Sequence, residues 1–325
     1  MDIPQYSDVE AAAKRIAGKA VRTPLLNYPV LDERTKMRVF IKPENLQRTG
    51  SFKFRGAYNA ISTMSQEARD NGVYAISSGN HAQGVACAAK LFGCSATILM
   101  PSDAPKIKMA RTRSHGATVV EFDREKDDRD VIARKFGEET GMTFVHPYDN
   151  PKVVAGQGTV GREIAQDLEK LEVEPDRAIV CTGGGGLTSG VALALSHHFP
   201  KTQIHCSEPE GFDDYRRSLE AGELKRNAKT TGSVCDSIIT TMPGKIGFEI
   251  NRKLLHSGLV VSDREALDAV RFAFEELKLV AEPGGAVALA SLLKFCSQWE
   301  GETAVITISG GNIDPDILQR ALTTN

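Results

Sequence analysis

The sequence predicts an α/β protein in which parallel sheets carry helices on both faces, and three observations predict it. Short apolar runs typical of buried strands recur along the 325 residues. Between them lie longer segments in which apolar residues return every three or four positions, which is the period of a helix. Three of the runs end in loops of small residues, and ligands collect at such loops in open parallel sheets.

Seven apolar runs are the predicted strands, and five periodic segments are the clearest predicted helices. Their alternation favours parallel sheets, because a parallel pair needs a crossover connection. No internal repeat or long linker is visible, so a second domain is expected to be inserted into the first. The predicted strands are 39–41, 74–76, 96–100, 118–120, 179–181, 203–206 and 305–308, and the predicted helices are 81–92, 129–140, 159–171, 264–277 and 286–295.

Composition and charge favour a small-molecule partner. The chain has 42 acidic and 40 basic residues, spread along its length, which predicts no binding to nucleic acid or to an anionic membrane. No signal segment or membrane-spanning stretch is visible, so a cytoplasmic location is expected. The six cysteines form no Cys-x-x-Cys pair and are expected to be reduced, and the seven histidines show no metal-ligand spacing.

A run of four glycines, Gly183 to Gly186, is the strongest single motif. It follows an apolar strand and precedes an apolar helix beginning near Leu187, an arrangement that aims free backbone N–H groups at a phosphate. A flexible turn is the alternative, although turns seldom need four glycines at such a junction. The lysine and hydroxyl residue that close a nucleoside-triphosphate loop are missing.

A second glycine pattern, Gly156-Gln157-Gly158-Thr159-Val160-Gly161, fits the dinucleotide signature but is rejected. The residues before it do not make a convincing strand, and no acidic residue stands clearly at a strand end to hold a ribose. These glycines are expected to permit close packing at the start of a helix.

Lys53 stands between Phe52 and Phe54 rather than in a charged run. Desolvation lowers the pKa of a lysine and exposes its neutral amine, which a carbonyl cofactor requires. Most lysines are surface charges, so this motif indicates a cofactor-binding lysine only together with the four-glycine loop.

Four motifs together resemble the serine/threonine dehydratase and serine racemase family of pyridoxal-phosphate enzymes, which has the tryptophan synthase β-like fold (fold type II). They stand in the family's order across nearly the whole chain. The resemblance implies a large cofactor-binding domain of residues 1–70 and 150–325, and a small domain of residues 71–149 that closes over the substrate. The motifs are Ser51-Phe52-Lys53-Phe54-Arg55-Gly56-Ala57, Ser77-Ser78-Gly79-Asn80-His81, Gly183-Gly184-Gly185-Gly186-Leu187 and Ser309-Gly310-Gly311-Asn312.

The resemblance also implies how the cofactor is held. Lys53 would form the Schiff base, Phe52 would pack near the pyridine ring, and Asn80 would bond the phenolic oxygen. The segment from Gly183 to Leu187 would bind the phosphate, and Ser309 would face the pyridine nitrogen. A neutral hydroxyl at Ser309 leaves that nitrogen largely unprotonated, which favours elimination over transamination.

The substrate is expected to bind beside the loop formed by Ser77, Ser78, Asn80 and His81, which is rich in donors for a carboxylate. By resemblance, Ser78 matches the serine that protonates the opposite face of Cα in racemases. Arg129 and Lys245 match positions near the substrate in relatives. Because the family often has a small hydroxyl residue where Lys245 stands, this lysine either admits a second anionic group or points to solvent.

Glu208 and Asp214, with the carbonyl of Phe212 between them, match a divalent-cation site in relatives. Oxygen ligands suit Mg²⁺ or Ca²⁺. Glu210 departs from the family's pattern, and a solvated acidic turn is an equal alternative.

The predicted activity is a dehydratase that converts L-threonine or L-serine to a 2-oxo acid and ammonia, with Lys53 as the base at Cα. The family implies a homodimer, and a chain ending at Asn325 implies no added regulatory domain. A serine racemase, a dehydratase for 3-hydroxyaspartate or a bulkier β-hydroxy amino acid, and a non-catalytic binding protein are the alternatives. A β-replacement enzyme such as cysteine synthase is less favoured, because the Ser77 to His81 and four-glycine loops resemble the dehydratase branch.

Overall fold

Two sheets organise the computed structural model, which describes residues 2–102, 104, 106–123 and 126–323. The strands are β1 (Leu26–Asn27), β2 (Arg38–Pro43), β3 (Val73–Ile76), β4 (Ala96–Pro101), β5 (Thr118–Phe122), β6 (Thr143–Phe144), β7 (Arg177–Cys181), β8 (Gln203–Pro209), β9 (Ser257–Val261) and β10 (Thr303–Ile308). One sheet has the order β1-β2-β10-β7-β8-β9, and the other has the order β5-β4-β3-β6. Every pair is parallel except β1 with β2, which confirms the predicted fold class.

Helices pack on both sheets, and the central strands β3, β7 and β10 are apolar and buried along most of their length. The larger sheet packs on the helices of residues 263–275 and 283–295 on one side and on those of residues 151–170 and 186–198 on the other, and the smaller sheet packs on the helix of residues 80–92. The helices are α1 (Tyr6–Ile16), α2 (Pro29–Thr35), α3 (Lys53–Ser62), α4 (Gln66–Asn71), α5 (Asn80–Phe92), α6 (Lys106–Ser114), α7 (Arg129–Thr140), α8 (Pro151–Lys170), α9 (Gly186–His198), α10 (Asp214–Ala221), α11 (Lys245–Leu254), α12 (Asp263–Glu275), α13 (Pro283–Phe295) and α14 (Pro315–Thr323).

None of the helices in the described part of the chain is both long enough and apolar enough to cross a bilayer. Strands β3 to β6 all fall inside the predicted insertion of residues 71–149, and the other strands fall outside it. The division into domains stays a prediction, and its outer limits, Met1 and Asn325, lie outside the described residues.

All seven predicted strands are present, and the five predicted helices differ mainly in where they begin. The largest difference is α8, which begins at Pro151 and not near Thr159. Asn150 caps it by accepting from the amides of Lys152 (2.9 Å) and Val153 (3.1 Å), and Pro151 occupies the first helical position. The rejected glycine pattern therefore lies inside a helix and not at its start.

The glycines of α8 permit the close packing that was predicted for them. A Cβ at Gly156 would lie 2.7 Å from the Cα of Gly56 in α3, and a Cβ at Gly158 would lie 2.9 Å from the carbonyl oxygen of Gly190 in α9. No side chain fits in either gap. Helix α8 therefore contacts α3 and α9 backbone to backbone.

A buried ion network fixes the start of α3. Arg55 donates to both oxygens of Glu44, each at 2.8 Å, and to both oxygens of Glu163 at 2.7 and 2.9 Å. Lys42 donates to Glu163 at 2.7 Å, and the side chains of Lys42, Arg55 and Glu44 have no exposed area. Burial acts to lower the pKa of Arg55, but the two carboxylates outweigh it and raise the pKa, so the guanidinium stays charged.

Arg55→Met is expected to lower the free energy of unfolding by about 3–5 kcal/mol, because it leaves buried carboxylates without their partner. Urea unfolding of the purified protein measures the loss. The matched control is Lys135→Met, which removes an exposed 3.7 Å pair with Glu139 and is expected to cost at most about 1 kcal/mol. Equal losses in the two variants would contradict a special role for the buried network.

Candidate active site

The glycine loop after β7, Gly183 to Gly186, forms an anion cradle, and neighbouring residues are already packed against it. A Cβ at Gly183 would lie 2.7 Å from the carbonyl oxygen of Ile238, and a Cβ at Gly184 or Gly185 would overlap the ring of Tyr148 or the hydroxyl of Tyr215. Among the described residues, the amides of Gly183 to Gly185 make no backbone hydrogen bond. Helix α9 begins directly after them, so its positive end adds to the attraction for an anion.

Lys53 is the first residue of α3 and is half-buried. Its Nζ donates to the carbonyl oxygen of Pro147 at 2.9 Å and lies 5.1 Å from the centre of the Phe52 ring. Desolvation and the cation of Arg129 lower the pKa of Lys53 to about 8, although the charge of Glu282 acts in the opposite direction. A substantial fraction of this amine is therefore neutral near physiological pH.

The loop after β10 and the loop after β3 are joined directly. Asn312 donates through Nδ2 to Oδ1 of Asn80 at 2.7 Å, and Asn80 donates through Nδ2 to Oε1 of Glu282 at 2.5 Å. Ser309 is buried, and its carbonyl oxygen accepts from the amide of Phe52 at 3.2 Å. The predicted residues Phe52, Asn80 and Ser309 are thus brought together around the start of α3.

His81 contributes a buried acceptor. Its Nε2 lies 2.7 Å from the carbonyl oxygen of Val145, so Nε2 carries the proton and Nδ1 carries a lone pair. Burial and the nearby Lys53 hold the pKa of His81 well below 6.5, so the ring is neutral. Nδ1 is buried and has no hydrogen-bond partner among the described residues, which leaves it available to a donor on a bound molecule.

The remaining predicted substrate residues lie at the edge of the site. Ser77 accepts from the amide of Gly79 at 3.2 Å and shapes the turn into α5, and Ser78 is half-buried beside it. Arg129 donates to the carbonyl oxygen of Ile76 at 2.8 Å, and its effect on Lys53 places its cation within electrostatic reach of the amine. Lys245 is exposed at the first position of α11.

Glu208 and Asp214 are buried, so the alternative of a solvated acidic turn is wrong for both. Glu208 accepts from the amides of Tyr215 (2.9 Å) and Arg216 (2.8 Å), and Asp214 accepts from Asn227 at 2.6 Å. Burial and the charge of Asp214 raise the pKa of Glu208 well above its usual value, and burial raises the pKa of Asp214 to about 6.

The carboxylates of Glu208 and Asp214 fit a hard cation, which would relieve the repulsion between them. Within the described part of the chain, no three His, Cys, Asp or Glu side chains are placed so that they could hold one metal ion, so carbonyl and water oxygens would have to complete such a site.

Sequence reasoning missed two residues that contact the site. Tyr148 packs its ring against Gly184 and its backbone against Gly186. Glu282 is buried and bonded to Asn80. The only available signal for Glu282 was an acidic residue before Pro283 at the start of a helix, and Tyr148 gave no signal.

These groups fit a ligand that carries both an aldehyde and a phosphate. Where the cradle packs against the rest of the protein there is room only for its backbone atoms. The loop therefore has no side chains of its own that could cover its amides, which stay open to an anion. The Lys53 amine is desolvated and partly neutral, which is the state that attacks a carbonyl.

Comparison with known proteins agrees with this fit. A family model described as "Pyridoxal-phosphate dependent enzyme" matches residues 16–310. An L-threo-3-hydroxyaspartate ammonia-lyase of Pseudomonas sp is 44% identical over 314 residues, which cover 97% of this chain and 97% of that protein. A serine racemase of Schizosaccharomyces pombe is 39% identical over 312 residues, which cover 96% and 95% of the two chains. The solved structure of a T.th. threonine deaminase has a TM-score of 0.90 at 40% identity and covers 96% of this chain and 99% of that one.

The rate at which cofactor-free protein turns yellow with pyridoxal phosphate is expected to rise about tenfold per pH unit below pH 8 and to level off above it. Only the neutral amine attacks the aldehyde, and the pKa of Lys53 is about 8. Stopped-flow absorbance measures the rate. Arg129→Met is expected to move the midpoint to higher pH, because it removes a repelling cation. A midpoint near 10.5 in the unaltered protein would show that Lys53 is not desolvated.

Proposed function

The chain belongs to the family of pyridoxal-phosphate dependent enzymes, and on this premise we propose that it is an ammonia-lyase acting on a β-hydroxy amino acid. The substrate proposed first is L-threonine or L-serine, which would yield a 2-oxo acid and ammonia. The observation that carries this proposal is that the desolvated amine of Lys53 bonds to the carbonyl oxygen of Pro147, while the next residue, Tyr148, packs on the glycine loop whose amides suit a phosphate.

We assign Lys53 to the cofactor's aldehyde, Gly183 to Leu187 to its phosphate, and Asn80 and Ser309 to its ring. Phe52 supplies an apolar surface beside Lys53. When bound, pyridoxal phosphate supplies a conjugated ring that accepts the electron pair left at Cα.

Lys53 is the proposed base. With the substrate's amine on the cofactor in its place, the free Nζ of Lys53 would take the proton from Cα. An amine with a pKa of about 8 is well matched to this work near neutral pH. Loss of the Cα proton allows the β-hydroxyl to leave as water, with the proton that Lys53 took from Cα returned to the departing hydroxyl. The released enamine would tautomerise to an imine, which one water molecule hydrolyses to the 2-oxo acid and ammonia.

The loop from Ser77 to His81 is the proposed site for the substrate carboxylate. It lies at the N-terminus of α5, where first-turn amides and the helix dipole attract an anion. Ser78 is proposed to hold a proton on the face of Cα opposite Lys53. A racemase would use the same pair of residues, and a relative at 39% identity bears that name.

A dicarboxylic substrate, L-threo-3-hydroxyaspartate, is the second candidate. The relative at 44% identity is named for it. Two cationic side chains, Arg129 and Lys245, stand at the edge of the site, and the loop from Ser77 to His81 already accounts for the α-carboxylate. Lys245, which is exposed, is the cation proposed to bind the β-carboxylate.

Mg²⁺ or Ca²⁺ is the proposed occupant of the site formed by Glu208, Asp214 and the carbonyl of Phe212. Burial first, and then the charge of Asp214, raise the pKa of Glu208, so a cation between the two carboxylates would favour their ionised forms. Tyr215 follows Asp214 and brings its hydroxyl against Gly185, so the cation would stiffen the phosphate loop.

A homodimer in the cytoplasm is the proposed state. Three exposed apolar side chains, Val21, Leu46 and Val280, occupy neighbouring segments: Asn45 donates to the carbonyl oxygen of Val280 at 3.0 Å, and Gln47 accepts from the amide of Val21 at 2.8 Å. They are the proposed subunit contact, and light scattering of the purified protein tests it.

Free thiols at all six cysteines fit a reducing compartment.

Release of 2-oxo acid from L-serine, L-threonine and L-threo-3-hydroxyaspartate, each with and without Mg²⁺, tests the proposed function. Lys53→Ala is expected to lose at least about a thousandfold in kcat, because the base is removed. Lys170→Ala, at an exposed position of α8, is the matched control and should keep full activity. If D-serine forms from L-serine faster than pyruvate does, the protein is a racemase and the proposal is wrong.

If the second candidate is correct, Lys245→Ser is expected to lower kcat/KM for L-threo-3-hydroxyaspartate by about tenfold to a hundredfold, the value of a charged hydrogen bond. Turnover of L-serine should stay within a factor of about two. Lys253→Ser, an exposed lysine on the same helix, is the control. An equal fall for both substrates would mean that Lys245 supports the fold, and no fall would mean that it points to solvent.

A further inference from the structure

Glu282 is a buried carboxylate that none of the roles above requires. It is 5% exposed and occupies the residue directly before α13. A side chain at this position normally caps its own helix, but that of Glu282 makes no bond to the amides of α13. It accepts instead from Asn80, 202 residues away in sequence, at 2.5 Å.

The amide of Asn80 is held at both ends. Its oxygen accepts from Asn312, which also donates to the carbonyl oxygen of Thr49 at 2.8 Å, and one of its two N–H groups is taken by Glu282. A flipped amide would set its oxygen against the carboxylate of Glu282 and its N–H₂ against that of Asn312. Glu282 and Asn312 therefore fix the orientation of Asn80 and leave its second N–H uncommitted by either partner.

The packing around Glu282 is specific to this contact. A Cβ at Gly310 would overlap Oε1 of Glu282 and lie 3.1 Å from Nδ2 of Asn80, so only glycine fits there. The amide of Glu282 donates to the carbonyl oxygen of Gly310 at 3.1 Å. The loop after β10 thus holds Glu282 by its backbone while the carboxylate reaches Asn80.

The charge of Glu282 also acts on Lys53, whose pKa it raises. Burial raises the pKa of Glu282 itself to about 7, and the bond from Asn80 opposes that shift. The other charges that face it are Asp236 and Asp314, which raise its pKa, and Lys108, which lowers it. These residues line a cavity of about 170 Å³ together with Asn312.

We propose that Glu282 is a positioning residue for the reaction: it sets which edge of Asn80 faces the cofactor, and when it is ionised its charge acts on the Lys53 nitrogen. The inference rests on the roles proposed above for Asn80 and Lys53. It assigns to Glu282 the two properties that an apolar residue of the same volume would lack, a fixed acceptor and a charge.

The test is a pH titration of the visible absorbance of protein loaded with pyridoxal phosphate, which follows the proton on the Lys53 nitrogen and needs no substrate. Glu282→Gln keeps the size and one acceptor but removes the charge. It is expected to lower the midpoint by about one pH unit, because an anion no longer holds that proton. The fold decrease in kcat should also be larger than any fold change in KM. Asp236→Asn removes a neighbouring charge that does not touch Asn80, and its midpoint should shift less.

Glu282→Asp separates the two effects. It retains the charge but shortens the reach to Asn80, so the midpoint should stay near that of the unaltered protein while kcat falls. This variant also serves if Glu282→Gln does not fold. Circular dichroism and the melting temperature of each variant report the fold independently of the spectrum.

A folded Glu282→Gln protein with an unchanged midpoint and unchanged kcat would overturn the proposal, as would a lower melting temperature with an unchanged spectrum. If the unaltered protein turns yellow but releases no 2-oxo acid from any substrate, the proposed function fails while the midpoints still decide the role of Glu282. A protein that never turns yellow would overturn both.

Discussion

The pairing of Arg55 with Glu44 and Glu163 is the interaction on which the site depends. It joins the residue after β2, the first turn of α3 and the middle of α8. Removing these three charges and that of Lys42 from water is costly, so the network contributes less to stability than its short distances suggest. Its main effect is positional, because Lys53 stands two residues before Arg55 and moves with it.

Much of the fold could be predicted because the strands of parallel sheets are apolar on both faces, which leaves a clear pattern in sequence. Glycines and small polar residues then stand where those strands end, and parallel strands place such ends on one side. Gly183 to Gly186, Ser309 and the loop after β3 were recognisable for this reason. The two-residue strands β1 and β6 carry no pattern at all, and the glycines of α8 weakened the helical signal over its first half.

The residues that sequence could not reveal act through contacts between distant segments. Glu282 precedes a helix, as many acidic residues do, and only the fold turns its carboxylate toward Asn80. Tyr148 is an ordinary aromatic residue until the fold places it on Gly184. Arg55 was part of a recognised motif, but its pairing with two buried carboxylates depends on where β2 and α8 lie. Lys245 differs from these residues. It is exposed, so a substrate anion, and not the fold, would supply its partner.

The contacts of α8 set the spacing of the two helices that begin at the proposed cofactor-binding groups. Gly156 meets Gly56 of α3, the helix that begins with Lys53, and Gly158 meets Gly190 of α9, the helix that begins at the phosphate loop. The spacing of these two helices is thus set by main-chain contacts, with no side chain between them whose rotamer could adjust it. Pyridoxal phosphate is a flat ring with its aldehyde and its phosphate arm on adjacent carbons. The backbone positions from which Lys53 and the phosphate loop reach these two groups are therefore fixed, and the side chain of Lys53 is the part left to adapt.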